Sequence, residues 1–120
     1  MGPGSAGEFE STIGNTIHFD TDSYSLNAEA QGILQKQAAW LQQYPNLNVS
    51  VEGHCDERGT REYNLALGER RANAVKNFLT GKGVSAARVN TISYGKERPA
   101  VTGSDESAWA QNRRGVTVVQ

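Results

Sequence analysis

A single cysteine, Cys55, stands in the whole chain. That scarcity excludes an intrachain disulfide and a cysteine-rich zinc site. Long apolar runs are missing too. Nothing approaches the roughly 20 consecutive apolar residues of a membrane-spanning helix, and the N-terminus carries neither the basic region nor the apolar stretch of a signal peptide. The chain as given therefore reads as soluble. An excess of charge of either sign is also absent: the formal net charge is −1, so phosphate neutralisation supplies no driving force and nucleic acid is not an expected partner.

What is present suits one domain. At 120 residues and 37% hydrophobic content, the chain is lean but adequate for a single two-layer core. The opening MGPGSAGEF is rich in Gly, Ser and Pro and resembles a vector-derived leader, so residues 1–9 are expected to be a tail and residues 10–120 the domain. Ile13, Ile17 and Phe19 share one parity, which predicts a strand over about 12–19 with His18 on the opposite face. Asn27 is a plausible N-cap for a helix from Ala28 to Tyr44, whose apolar positions Ala30, Leu34, Ala38 and Leu41 recur at helical spacing until Pro45 stops it. Its glutamines are expected to be solvated. Leu47, Val49 and Val51 alternate with polar residues as in a strand with one covered face. A second helix is predicted over 61–79, with Thr60 as N-cap and Gly81 or Gly83 at its C-terminal end. RVNTISY at 88–94 and the Val-rich run 114–119 complete the strands, with a short Ala/Trp segment between them. The expectation is an α+β fold: a two-layer sandwich ordered β-α-β-α-β-(short α)-β, with a mixed four-stranded sheet.

Charge concentrates between Glu52 and Lys76, where the acids Glu52, Asp56, Glu57, Glu62 and Glu69 balance the bases Arg58, Arg61, Arg70, Arg71 and Lys76. Such a stretch suits a partner carrying both signs. On a helical wheel Gly68, Ala72, Val75 and Leu79 cluster around Leu65 as the buried stripe, and Gly68 lets the helix approach the sheet closely. Asn64, Leu67, Arg71 and Phe78 border that stripe, while Glu69 and Arg70 point away. Arg71 therefore presents a planar fork suited to a carboxylate, the plain alternative being a helix-face salt bridge. Asp56 sits in the loop before the helix, and the turn at Gly59-Thr60 can fold it back toward Arg71. Asp and Arg so held can clasp a zwitterion, the acid taking its ammonium and the base its carboxylate; otherwise Asp56 merely caps the loop. His54-Cys55-Asp56 are all metal-ligating types, but adjacent residues rarely converge on one ion, so no metal and no cofactor are expected. Cys55 lacks the base and orienting group of a nucleophile and reads as a buried small residue.

The segments FDTDSYSL at 19–26, VEGHCDERGTREYNLALGERRANAV at 51–75, SYGKERP at 93–99 and NRRGV at 112–116 resemble the OmpA-like peptidoglycan-binding domains, most closely the branch of peptidoglycan-associated lipoproteins. The resemblance runs from about residue 16 to 119. It implies a non-enzymatic module that binds peptidoglycan non-covalently through the diaminopimelate of the stem peptide and tethers the outer membrane to the cell wall. It carries the ligand-binding roles onto Asp56 of the G-H-x-D motif and Arg71 of the L-x-x-R-R-A motif, with Phe19, Asp20, Asn64, Leu67 and Thr60 around them. It further implies a lipid anchor in the outer membrane, a periplasmic position for this domain, and a TolB-like protein of the Tol system as partner, which Arg58, Glu57 and the 93–99 loop can also serve. Two positions depart from the family pattern: Gly68, often Ser, and Cys55, often a small non-cysteine residue. A protein-interaction domain and a peptidoglycan hydrolase are the competing readings. No paired acids or Ser/His arrangement supports the hydrolase.

Overall fold

The computed structural model describes residues 2–120. Ser5 caps one helical turn, α1 (Ala6–Glu8), by accepting the Glu8 N–H. A π-helical turn follows over Phe9–Ile13. Gly14 closes it at φ 93°, a conformation that favours glycine, and donates its N–H to the Phe9 carbonyl at 2.8 Å. The strand predicted over 12–19 is thus shorter: β1 is Thr16–His18. Its parity is kept, with Ile17 buried and His18 exposed, but Ile13 reaches the core from a helical turn. Residues expected as a tail also pack. Phe9 is fully buried against Trp40, the ring centroids 4.9 Å apart, and Glu8 accepts the Trp40 Nε1–H.

The helix α2 (Ala28–Gln43) begins where Asn27 turns extended and its Oδ1 accepts the Ala30 N–H. Gln37 departs from the solvated face expected of the glutamines: it is buried and donates to the Gly14 carbonyl at 2.9 Å, satisfying an acceptor that the π-turn leaves open. Strand β2 (Val49–His54) leads to α3 (Arg61–Gly81), which Thr60 caps by accepting the Tyr63 N–H. The C-terminus of α3 is a Schellman motif: Gly83, at φ 103°, donates to Thr80 and Val84 donates to Leu79. A 3-10 turn at Ala86–Arg88 enters β3 (Val89–Gly95), and α4 (Glu106–Asn112) precedes β4 (Arg114–Val119).

Strand order is β1-β4-β2-β3. Strand β4 runs antiparallel to both neighbours, and β2 pairs with β3 in parallel, with α3 as the crossover between them. Ile17, Val49, Val51 and Val89 meet Leu34, Ala38, Leu41, Ala72, Val75 and Leu79 in one core. The sheet is therefore mixed and four-stranded, covered by helices on one face, as the sequence pattern predicts. The alternate residues Ser50, Glu52 and Ile92 turn to the other face, where Ile92 is exposed.

Candidate functional site

The end of β2 and the start of α3 come together because neither carries a side chain at their contact. A Cβ on Gly53 would lie inside the Gly68 carbonyl, and one on Gly68 would meet the Ser93 Oγ and the Gly53 carbonyl. The close approach brings the 55–60 loop over the first turns of α3. Opposite it runs the 19–23 segment that follows β1. Between them lies a cavity of about 400 Å³, walled by Thr21 and Asp22 on one side, Cys55, Asp56, Arg58 and Gly59 on the other, and Tyr63, Asn64, Leu67 and Arg71 from α3.

Asp56 and Arg71 line this one cavity, as the sequence predicts, but each already has partners. Asp56 is 7% exposed. Its Oδ1 accepts the Arg58 backbone N–H at 3.0 Å and the Arg58 Nε–H at 3.1 Å, and its Oδ2 accepts from Arg58 Nη2 at 2.8 Å. Arg113 Nη1 stands 3.5 Å from the same Oδ2. Burial alone would raise the Asp56 carboxyl, but the hydrogen bonds and charge of Arg58, together with Arg113, hold it below the ordinary carboxylate range.

Arg71 is deeper than the core-bordering position expected of it, at 1% exposure. Its Nε donates to the Ser23 carbonyl at 2.8 Å, Nη1 to the His54 carbonyl at 2.9 Å, and Nη2 to the Asp20 carbonyl at 3.0 Å. The guanidinium also sits 5.1 Å from the Phe19 ring centroid. Burial lowers its affinity for the proton, while Cys55 and Asp56 oppose that effect. Three of the five N–H donors are engaged, so Arg71 pins the 19–23 segment to β2 and keeps only the remainder of its fork for a ligand. Arg70 points outward, as its phase predicts, 5.9 Å from the Tyr24 ring centroid.

The other predicted residues divide. Asn64 and Leu67 line the cavity, and Asn64 Nδ2 donates to the Arg58 and Thr60 carbonyls, fastening the loop to the helix. Thr60 is a cap and does not wall the cavity. Phe19 and Asp20 also lie outside it: Phe19 is buried beneath Arg71, and both residues border a separate hollow of about 360 Å³ shared with His18, Asn27 and Arg113. They reach the site through the Asp20 carbonyl on Arg71 and the Phe19 carbonyl on Arg113 Nε.

Two arginines at the site were not singled out as ligand-site residues by sequence reasoning. Arg113 is buried and bonds Glu106 and the Phe19 carbonyl, and its signal was the NRRGV segment alone. Arg58 is half-exposed and lies against the Trp109 ring at 4.2 Å. Its neighbour Glu57 accepts the Trp109 Nε1–H. His54 ends β2, whereas Cys55 and Asp56 follow it in the loop and both line the cavity. The His54 ring stacks on Tyr94 and meets Glu52 at 3.0 Å, the Cys55 thiol donates to the Asn64 carbonyl and is pushed up by burial, and Asp56 faces the cavity. Among the described residues no three His, Cys, Asp or Glu side chains are grouped to hold a metal ion. The arrangement offers hydrogen-bonded charges of both signs around a half-enclosed space, the equipment of a polar recognition site.

Comparison with known proteins identifies the family and the fold. The family model described as the OmpA family matches residues 18–113. The chain is 59% identical over 117 residues to the peptidoglycan-associated lipoprotein of Agrobacterium fabrum, covering 98% of this chain and 66% of that protein, so it spans about two thirds of that relative's length. It is 54% identical over 102 residues to the protein of the same name from Haemophilus influenzae, covering 85% of this chain and 67% of that one. The crystal structure of the peptidoglycan-associated lipoprotein from Burkholderia pseudomallei superposes with a TM-score of 0.88 at 43% identity, over 92% of this chain and 96% of that one. The C-terminal domain of Helicobacter pylori MotB shares the fold at 20% identity and a TM-score of 0.81, over 88% of this chain and 84% of that one. On the family match and these identities, the chain belongs to the OmpA family.

Proposed function

We propose that this domain binds peptidoglycan non-covalently and without catalysis, taking the diaminopimelate of the stem peptide at the Asp56–Arg71 cavity. The observation that carries this reading is a cavity of about 400 Å³ walled by an acid, Asp56, and a base, Arg71. A side chain ending in an ammonium and a carboxylate matches that pairing of signs. Relatives named peptidoglycan-associated lipoprotein support the same ligand class. In the cell the module would tether the outer membrane to the wall from the periplasmic side, through a lipid anchor. A TolB-like protein of the Tol system would be its protein partner.

Co-sedimentation with purified sacculi tests the reading. The protein should pellet with sacculi rich in diaminopimelate and release no soluble muropeptides. Asp56→Ala should lose binding by at least about 30-fold, because truncating one partner of a desolvated charge contact costs about 2–5 kcal/mol. Equal pelleting of a folded Asp56→Ala variant would exclude the cavity as the site.

A further inference from the structure

We propose that Arg58 is a built-in competitor for the site, a displaceable cation that occupies on Asp56 the place of the ligand's ammonium. This rests on the reading of the cavity given above. Arg58 and Asp56 are two residues apart, and the backbone N–H of Arg58 is itself anchored on Asp56 Oδ1, an Asx-type turn that Gly59, at φ 90°, allows the chain to leave. The side chain then folds back so that Nε and Nη2 engage both carboxylate oxygens. Every strong contact that a ligand ammonium would seek on Asp56 is already made by the protein.

The two cations on Asp56 differ in how firmly they are held. Arg113 is buried and is fixed by the Phe19 carbonyl and Glu106. The Arg58 side chain is 39% exposed and lies in the cavity wall. Its remaining contacts are the Thr21 Oγ1 at 3.3 Å and the face of Trp109, and an aromatic face can keep a guanidinium after it leaves a carboxylate. Arg58 is the member of the pair that can move. When it does, Asp56 keeps its backbone bond from residue 58 and its buried neighbour Arg113, so the carboxylate stays anionic and oriented for an incoming ammonium.

A resident competitor lowers apparent affinity by the fraction of molecules in which it is displaced. It also selects. A lone amine gains nothing by exchanging one cation for another, whereas a ligand that adds a carboxylate and stem-peptide contacts gains from the rest of the cavity.

The test compares the wild type with Arg58→Gln, which removes the charge and keeps the backbone N–H, by calorimetric titration with the tripeptide L-Ala-D-Glu-meso-diaminopimelate. Because Arg58 is half-exposed, the variant should keep its melting temperature within a few degrees. Binding should tighten by roughly 3- to 10-fold, as expected for removing a competitor that occupies the site most of the time. In the wild type labelled with nitrogen-15, the Arg58 Nε–H resonance should shift on saturation as it leaves Asp56. Unchanged or weaker binding by a folded Arg58→Gln, with the wild type binding and Asp56→Ala not, would overturn the competitor role and leave the site assignment standing. Absence of binding by both wild type and Arg58→Gln would instead remove the functional reading, and this inference with it.

Discussion

Arg71 carries its charge into the interior, and its three main-chain bonds decide what its loss would do. Truncation strands the carbonyls of Asp20, Ser23 and His54, and leaving buried polar groups unpaired is expensive. Arg71→Ala should therefore destabilise the fold by about 3–5 kcal/mol, read as a shift in the urea midpoint, in addition to any effect on wall binding. Arg70→Ala, on the solvent face of the same helix, should cost no more than about 1 kcal/mol and leave sacculus binding unchanged. If the two variants were equally stable, the buried bonding of Arg71 would be wrong. The helical phase that separates these adjacent arginines was legible in the sequence. Their bonding was not, because main-chain carbonyls leave no trace in residue types.

At the scale of elements, the contact between β2 and α3 sets the shape of the cavity. Gly53 and Gly68 face each other so closely that a methyl group on Gly53 would overlap the Gly68 carbonyl, a main-chain atom with no freedom to swing away. Gly53→Ala should cost at least about 3 kcal/mol, at or beyond the upper end of ordinary overpacking, and a thermal melt of the variant will show it as a large fall in Tm. A melt within a few degrees of wild type would mean the contact is looser than this. Sequence phase placed Gly68 against the sheet but was silent about Gly53, since that partner is set by the crossover of α3. The N-terminal segment shows the same limit. Phe9 and Ile13 read as a tail residue and a strand residue, yet both pack on the core from helical turns, and the Trp40 ring on α2 offers Phe9 an apolar face that local pattern does not record.

Over the whole molecule, proton binding makes stability depend on pH with a definite sign. Burial of His54, with Arg114 and Arg98 nearby, lowers its pKa below the ordinary value near 6.5, despite the opposing hydrogen bond to Glu52. His18 shifts the same way, through burial and the charge of Arg114. The unfolded chain then binds more protons than the folded one as pH falls below about 6.5, so this stability is complete above that value and is lost as pH drops through the folded pKa. Asp56, whose pKa is also lowered, adds a loss of the same sign at more acidic pH. Melting temperature should therefore decline from about pH 7.5 to about pH 5, and His54→Gln should flatten that slope whatever it does to the absolute value. A flat wild-type profile across this range would contradict the lowered pKa of His54.

The sequence by itself determined the element order from β1 to β4, the N-caps of α2 and α3 at Asn27 and Thr60, and the final strand, because these depend on periodicity and on local hydrogen bonding among near neighbours; between Gly81 and Gly83 at the end of α3 it left the choice to the structure, which uses Gly83. It also put Asp56, Asn64, Leu67 and Arg71 on elements that meet at one cavity. Tertiary structure alone decided who partners whom there: that Asp56 is held by Arg58 and Arg113, that Arg71 is spent largely on carbonyls 17 to 51 residues away in sequence, and that Phe19 and Asp20 support the site from behind its wall. Those contacts are non-local, and their geometry is fixed by the order in which strands join the sheet, which residue spacing does not encode.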